Sequence, residues 1–261
     1  MIHQKLKVVK IGGKLIDDEN RLERFLKAFA QTDGPKILVH GGGSLASRIS
    51  RQLGIEPQMV EGRRITTADD IRIVTMVYAG WINKKIVAAL QSYACPAIGL
   101  SGADADIIRA KKRPVKEIDY GFVGDIVKIN GQKTESFLKQ GIAPVFSAIT
   151  HDGKGRLLNT NSDTVAAEVA VAMSPVFDTE LMYCFEKPGV LQDSSDDNSV
   201  IPFLNEKIYA KGKQKGWFHT GILPKLHTGF DALKRGVPIV KIGNERILED
   251  TEQKFTQLVI K

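Results

Sequence analysis

The sequence predicts an α/β protein, in which short apolar strands alternate with amphipathic helices along nearly all of its 261 residues. Three observations carry that expectation. Residues 6–11 form an apolar run that ends in glycines, residues 18–30 place Leu22, Phe25, Leu26 and Phe29 at helical spacing, and residues 36–40 form a second apolar run. The Gly34-Pro35 pair breaks the helix before that second run. A strand–helix–strand unit of this kind joins parallel neighbours with a right-handed crossover.

The remaining elements follow in order. Residues 44–53 read as a helix whose first turn faces the Gly41-Gly42-Gly43 stretch. Thr66-Thr67-Ala68-Asp69-Asp70 is a helix-start signal, and the helical pattern continues to about residue 92. Its apolar set, which includes Val74, Met76, Val77, Trp81, Ile86 and Leu90, is wider than one buried face needs. That suits a central helix or one shared with a second subunit. Residues 96–100 form a strand ending in Ser101-Gly102. Residues 107–110 and 122–129, punctuated by Gly121 and Gly131, read as hairpin strands projecting over the sheet. Residues 143–149 form one strand, and residues 151–155 a hairpin turn.

A small-residue helix over 164–173 is closed by Ser174-Pro175, and the sheet resumes at 181–185. An acidic loop (193–198) and a basic segment (207–215) precede a helix over 223–235 and strands over 238–242 and 255–260. No internal repeat or low-complexity linker appears. Two lobes sharing one continuous sheet are expected, residues 1–175 and 176–261.

Composition narrows the functional class. The chain is 43% hydrophobic and 26% charged, which excludes disorder. Cys95 and Cys184 sit singly in apolar runs and read as reduced, buried thiols, so a cytoplasmic location is expected. No leader pattern opens the chain, and no apolar run reaches spanning length, so no membrane partner is expected. The net charge of +7 is spread over short basic runs poor in aromatics, which favours steering of small anions over nucleic-acid binding.

Two strands run directly into glycines: Val8-Val9-Lys10-Ile11-Gly12-Gly13-Lys14 and Val39-His40-Gly41-Gly42-Gly43-Ser44. Open α/β sheets place ligands at the carboxyl ends of their strands, and glycines let backbone N–H groups approach a phosphate. With Lys10 at such an end, phosphoryl transfer is the expected chemistry. The sequence has no G-x-x-x-x-G-K-[ST] loop and no protein-kinase H-R-D or D-F-G.

Lys225, in a glycine-bearing turn that feeds a helix, is a second candidate cation; a solvated lysine is the alternative for both. Asn159-Thr160-Asn161-Ser162-Asp163 precedes a helix and reads either as capping residues or, through Asp163, as an anion that holds both lysines. Arg63 or Arg64 is positioned to clamp a carboxylate, and periodicity does not choose between them. His40 reads as a strand-end packing residue rather than a proton carrier. The histidines and cysteines show no metal-ligand spacing, so no protein-bound metal is expected.

Taken in order, these segments resemble the amino-acid kinase family over nearly the whole chain. Lys10-Ile11-Gly12-Gly13 is similar to its K-[LI]-G-G, and His40-Gly41-Gly42-Gly43 to its H-G-G-G. Gly62-Arg63-Arg64-Ile65-Thr66 is similar to G-x-R-[VI]-T, Gly99-Leu100-Ser101-Gly102 to G-L-S-G, and Gly121-Phe122-Val123-Gly124 to G-x-V-G. Asn159-Thr160-Asn161-Ser162-Asp163 matches N-x-N-[AS]-D, and Gly221-Ile222-Leu223-Pro224-Lys225 resembles G-M-x-x-K.

The resemblance implies a three-layer αβα sandwich with a mainly parallel central sheet. Within the family it is closest to the branch that phosphorylates the γ-carboxylate of an N-acylated glutamate in arginine biosynthesis. The acylated amino acid is then expected in the first lobe and ATP, with Mg2+ held mainly by its phosphates, in the second. Kinases of carbamate, aspartate, glutamate or UMP, or a catalytically silent metabolite sensor, are the alternatives. By residue-wise transfer Lys10 and Lys225 stabilise the moving phosphoryl group and Asp163 orients them. Gly42, Gly43, Arg64 and Asn159 surround the acyl-glutamate. Gly12, Gly13, Glu186, Gly189 and Gly221 join the two lysines around ATP.

The γ-carboxylate is ionised at neutral pH, so no general base is expected. The chain departs from the family at Phe185-Glu186-Lys187, where [ST]-D-V is usual, and at Trp217-Phe218-His219. Departures around Arg63 and Ala103-Asp104-Ala105-Asp106 admit a larger or charged acyl group such as succinyl, with Arg63 as its partner. The resemblance also implies a homodimer through the long helix. Only Met1 to Lys5 precede the first strand, so free arginine is not expected to inhibit.

Overall fold

The computed structural model describes residues 4–60, 62–218, 221–248 and 255–260. Strand β1 (Lys5–Ile11) lies inside the main sheet, between β2 (Lys36–His40) and β11 (Asp178–Cys184). Beyond β2 come β8 (Ala143–Ser147) and β5 (Ala97–Leu100); beyond β11 come β13 (Ile239–Gly243), β14 (Thr256–Leu258) and β12 (Phe203–Leu204). Each pairing in this eight-stranded sheet is parallel except β13 with β14.

Alternation along the strands sorts side chains into two apolar layers. Val9, Ile11, Leu38 and Met182 face one layer, which is covered by α1 (Gly13–Asp17), α2 (Glu19–Gln31), α3 (Gly43–Gln52), α4 (Ala68–Val74), a π-helical segment (Thr75–Ile82) and α5 (Asn83–Ser92). Leu6, Val8, Ile37, Val39, Leu181 and Tyr183 face the other layer, which α6 (Gly131–Lys139), α7 (Ser162–Met173), α8 (Glu206–Gln214) and α9 (Leu223–Lys234) cover. The result is the expected three-layer sandwich. Lys10 shares its parity with Leu6 and Val8 and therefore faces α7.

A smaller sheet, β10 (Leu157–Asn159), β9 (Ile149–His151), β6 (Ile108–Lys112) and β7 (Gly124–Ile129), stands above the strand ends. Beside it lies a hairpin of β3 (Met59–Val60) and β4 (Arg63–Arg64). The single strand expected over 143–149 is two, because the chain leaves the main sheet at Ala148 and enters the smaller one. Gly131, read as a breaker, opens α6 instead. Asn130 caps that helix by accepting the Lys133 amide. Helices α1 and α8 are likewise additions to the sequence expectation.

Thr67 and Asp70 form a capping box at the start of the long helix. The span Ala68–Ser92 is, against expectation, long and apolar enough to cross a membrane on length and composition. Its Ile73, Val74, Val77, Ile82, Ile86 and Leu90 are buried in the protein core instead. Its π-helical turn has Tyr78 and Ile82 against the glycine loop after β2: a Cβ built on Gly42 would lie 2.3 Å from Ile82 Cδ1 and 2.9 Å from a Tyr78 ring carbon. Any side chain at residue 42 would push the two elements apart.

Candidate active site

The centre of the site is an ion triad. Lys10 Nζ lies 2.7 Å from one carboxylate oxygen of Asp163, and Lys225 Nζ lies 3.3 Å from the other. All three residues are at most 9% exposed. Asp163 stands in the first turn of α7, where Asn161 caps the helix by accepting the Asp163 and Thr164 amides at 2.8 and 3.2 Å. Asn161 therefore does the capping, and the Asp163 carboxylate is left to the lysines.

Lys225 follows Pro224 in the first turn of α9, and its ammonium also donates to the Gly221 carbonyl at 3.1 Å. Tyr183, fully buried on β11 directly beside Lys10, ties the two helices together. Its hydroxyl donates to the Asp163 carbonyl at 3.3 Å and bonds the Thr228 hydroxyl of α9 at 2.7 Å.

Burial alone would raise the Asp163 pKa, but the charges of Lys10 and then Lys225 outweigh it and hold the carboxyl below its ordinary value. Lys225 is lowered by burial first and by the neighbouring Lys10 second. Two ammonium groups against one carboxylate leave a net positive charge in a nearly dry site. Such a site favours an incoming anion and stabilises negative charge that develops between the lysines.

Beside the triad an open cavity of about 440 Å3 brings together most of the residues expected around substrate. Gly13, Gly42, Gly43, Arg64 and Asn159 line it, together with Ser44, Ser47 and Ser162. The two-residue strand β4 decides between the arginines, because neighbours on a strand point to opposite sides. Arg64 is buried and Arg63 exposed. The Arg64 guanidinium is fixed by Asp70 at 3.4 Å, by the Ser47 hydroxyl at 2.5 Å and by the Gly43 carbonyl at 3.3 Å. Asn159 donates to Thr66 Oγ1 at 3.1 Å. The segment 103–106 is tied elsewhere: Asp104 accepts from Ser101, and Asp106 pairs with Arg109 and His151.

His40 is fully buried and holds the glycine loop in place. Nδ1 bonds the Gly41 carbonyl at 2.8 Å, and Nε2 accepts from Asn83, whose amide also donates to the Val145 carbonyl. Burial lowers its pKa to about 4, so the ring is neutral near neutral pH. It is a packing residue, as expected.

On the other side of the triad the residues expected around ATP are more dispersed. Gly12 donates its N–H to the Cys184 carbonyl at 3.2 Å, so that donor is already engaged. Glu186 forms an ion pair with Lys14 at 2.6 Å, across from the first glycine turn. Gly189 is buried where a Cβ would lie 2.6 Å from Val200 and 2.9 Å from Thr256 Oγ1. It also lines a small slot with Phe185, Trp217, Phe218 and Ile222. His219 and Thr220, part of the sequence motif before Gly221, lie outside the described residues, as do Met1 to His3 and Glu61.

Sequence reasoning missed Asp70 and Ser47 as supports of Arg64, and Asn83 and Tyr183 as supports of His40 and Asp163. Only Asp70 carried a signal, as part of the helix start. The other three join elements far apart in sequence.

An open, mainly parallel sheet with two glycine strand ends and a buried Lys–Asp–Lys triad defines a phosphoryl-transfer protein. The chain belongs to the amino acid kinase family, whose model matches residues 5–244. It is 54% identical over 240 residues to an acetylglutamate kinase of Cytophaga hutchinsonii, covering 92% of this chain and 91% of that protein. It is 50% identical over 239 residues to an acetylglutamate kinase of Phocaeicola vulgatus, covering 92% and 93%. Among solved structures, carbamate kinase from Giardia lamblia bound to AMP-PNP shares the fold with a TM-score of 0.71 at 10% identity, over 99% of each chain.

Proposed function

We propose that this kinase transfers the γ-phosphoryl group of ATP to the γ-carboxylate of N-acetylglutamate, as the names of its relatives suggest, within arginine biosynthesis. The Lys10–Asp163–Lys225 triad beside the Arg64 cavity is the observation that carries the reading. Phosphoryl transfer asks for positioning and charge neutralisation more than covalent chemistry. In this reading Lys10 and Lys225 neutralise the equatorial oxygens as charge develops, and Asp163 keeps both ammonium groups aimed and charged. Arg64, pre-oriented by Asp70 and Ser47, takes the α-carboxylate, and Asn159 takes a polar group of the acylamino end. Gly13, Gly42 and Gly43 allow close backbone approach, and the γ-carboxylate attacks in line without a general base.

ATP occupies the side formed by residues 176–261 in this reading, near Gly12, Glu186, Gly189 and Gly221, and residues 1–175 hold the acyl-glutamate. Among the described residues no three His, Cys, Asp or Glu side chains converge. In this reading Mg2+ arrives with the nucleotide phosphates, where it would neutralise charge on the β- and γ-oxygens. The two free, buried cysteines accord with the reducing cytoplasm, and the apolar long helix accords with a homodimer.

The test is a coupled assay with purified chain, ATP, Mg2+ and N-acetylglutamate. ADP release that depends on the acyl-glutamate, with a hydroxylamine-trappable acyl phosphate, is the expected result. Turnover only with carbamate, aspartate, glutamate or UMP would reject it, and so would ligand-induced thermal stabilisation without any phosphoryl transfer.

A further inference from the structure

The substrate cavity does not end where a small acyl group would. Its outer lining includes Arg63 and Arg113, and the same two side chains line a second open cavity of about 660 Å3. Lys111 and Lys116 add to that second lining, against the acidic Glu117 and Asp125. The two spaces therefore meet at a pair of guanidinium groups, and the outer one has more cations than anions.

The geometry of the substrate sets what reaches this junction. With the γ-carboxylate at the Lys–Asp–Lys triad and the α-carboxylate on Arg64, two of the three polar arms of an acyl-glutamate are committed. The third, the acylamino arm, is left for the part of the cavity lined by Met59, Arg63, Arg113 and Val123. A methyl group there would touch Met59 and Val123 and make no polar contact with Arg63 or Arg113.

The two arginines are available in different ways. Arg63 is exposed and has no ion pair among the described residues. Arg113 is anchored: Nε at 3.1 Å and Nη2 at 2.6 Å both donate to one oxygen of Asp125, and the guanidinium lies over the Tyr120 ring. Its Nη1 is buried and has no hydrogen-bond partner. The side chain is thus held rigidly, 23% exposed and with N–H groups unspent, an arrangement that binds a carboxylate at low entropic cost.

We propose that the acyl group this enzyme prefers carries its own terminal carboxylate, a dicarboxylic acyl of about succinyl length, and that Arg63 and Arg113 bind it. The inference rests on the acyl-glutamate kinase reading and specifies the substrate class at the same site. A charge-assisted contact of this kind discriminates by about 10- to 100-fold, because an acyl group lacking the carboxylate forgoes the contacts to Arg63 and to the unspent N–H groups of Arg113.

The experiment compares N-acetyl-, N-succinyl- and N-succinamoyl-glutamate, the last being a neutral mimic of the succinyl shape. The expected order in kcat/KM is succinyl first by about 10- to 100-fold, with succinamoyl near acetyl. Arg63→Gln and Arg113→Gln should each remove most of the succinyl advantage through KM and leave kcat for succinyl nearly unchanged. Arg63 is exposed, so its variant keeps the test open if Arg113→Gln fails to fold. An acetyl substrate as good as or better than succinyl overturns the proposal, and so does a succinyl preference that survives the Arg63 variant. Should no acyl-glutamate be phosphorylated, the kinase reading fails. Calorimetric affinities of the three compounds then judge the charged-acyl inference separately, with tighter succinyl binding upholding it and equal binding ending it.

Discussion

Lys10, near the end of a central strand, is ion-paired at 2.7 Å with Asp163 in the first turn of α7, and both are almost wholly withdrawn from water. The same carboxylate reaches Lys225, so one anion fixes two cations that come from β1 and α9, far apart in sequence. This makes the triad a single unit whose excess positive charge is aimed at one place.

Loss of either lysine should therefore act on the transition state. Lys10→Ala and Lys225→Ala are expected to lower kcat by about 10²–10³ while changing nucleotide affinity far less. Single-turnover rates together with calorimetric affinity for a non-hydrolysable ATP analogue separate the two effects. A Lys10→Ala enzyme with near-normal turnover would remove the residue from the mechanism.

Asp163 has a different signature. Removing it leaves two buried ammonium groups facing each other, and breaking a buried pair in this way costs about 3–5 kcal/mol. Asp163→Ala should lose stability on that scale in a denaturant titration, in addition to losing activity. The variant Asp163→Ala/Lys10→Met, which also removes one cation, should recover part of the stability and none of the turnover. Equal stability of the single and double variants would show that the lysines do not need the carboxylate.

Arg64 should control binding before rate. Its guanidinium is held by Asp70, Ser47 and the Gly43 carbonyl, an arrangement that a lysine cannot reproduce. Arg64→Lys is expected to raise the KM for acyl-glutamate by about 10-fold or more, with a smaller change in kcat and little in the KM for ATP. A fall in kcat alone would place Arg64 at the moving phosphoryl group instead.

The central sheet was legible in the sequence because its strands are short apolar runs bounded by glycine, and β1, β2 and their glycine turns lie where the pattern puts them. Lys10 was legible for the same reason. Asp163 was ambiguous, since Asn161 and Asp163 are equally plausible caps until the geometry assigns that work to Asn161. Arg63 and Arg64 could not be separated, because a strand of two residues has no period to read. Tyr183 and Asn83 carried no signal at all: each acts by bridging elements that are adjacent only in the folded chain. Helix α6 was hidden by Gly131, a residue read as a stop that stands at the helix's first position.

The long helix tests the assembly. Met76 and Trp81 are 59% and 64% exposed on its π-helical segment, so two large apolar side chains face away from the protein's own core. A second copy of the chain is the partner expected to cover them. Light scattering should give a dimer, and Trp81→Glu with Met76→Glu should shift it toward monomer without abolishing the fold. A wild-type monomer at micromolar concentration would exclude that use of the helix.

His40 makes the stability of the glycine loop depend on pH. Its folded pKa is lowered from 6.5 to about 4 by burial, while the unfolded chain titrates at the ordinary value. Between those values the unfolded state binds a proton that the folded state does not, so stability falls as pH falls through this window. The loss begins below about pH 6.5 and is complete near pH 4. At about pH 5 it amounts to roughly 2 kcal/mol, from 1.36 kcal/mol per unit of pKa difference. His40→Gln retains one donor for the Gly41 carbonyl and one acceptor for Asn83 but has nothing to titrate. Its stability should therefore drop by roughly 2 kcal/mol less than wild type between about pH 7.5 and about pH 5, as read from paired denaturant titrations. Equal drops in the two proteins would mean that His40 takes up its proton in the folded state, which would require the Asn83 contact to open and release the loop.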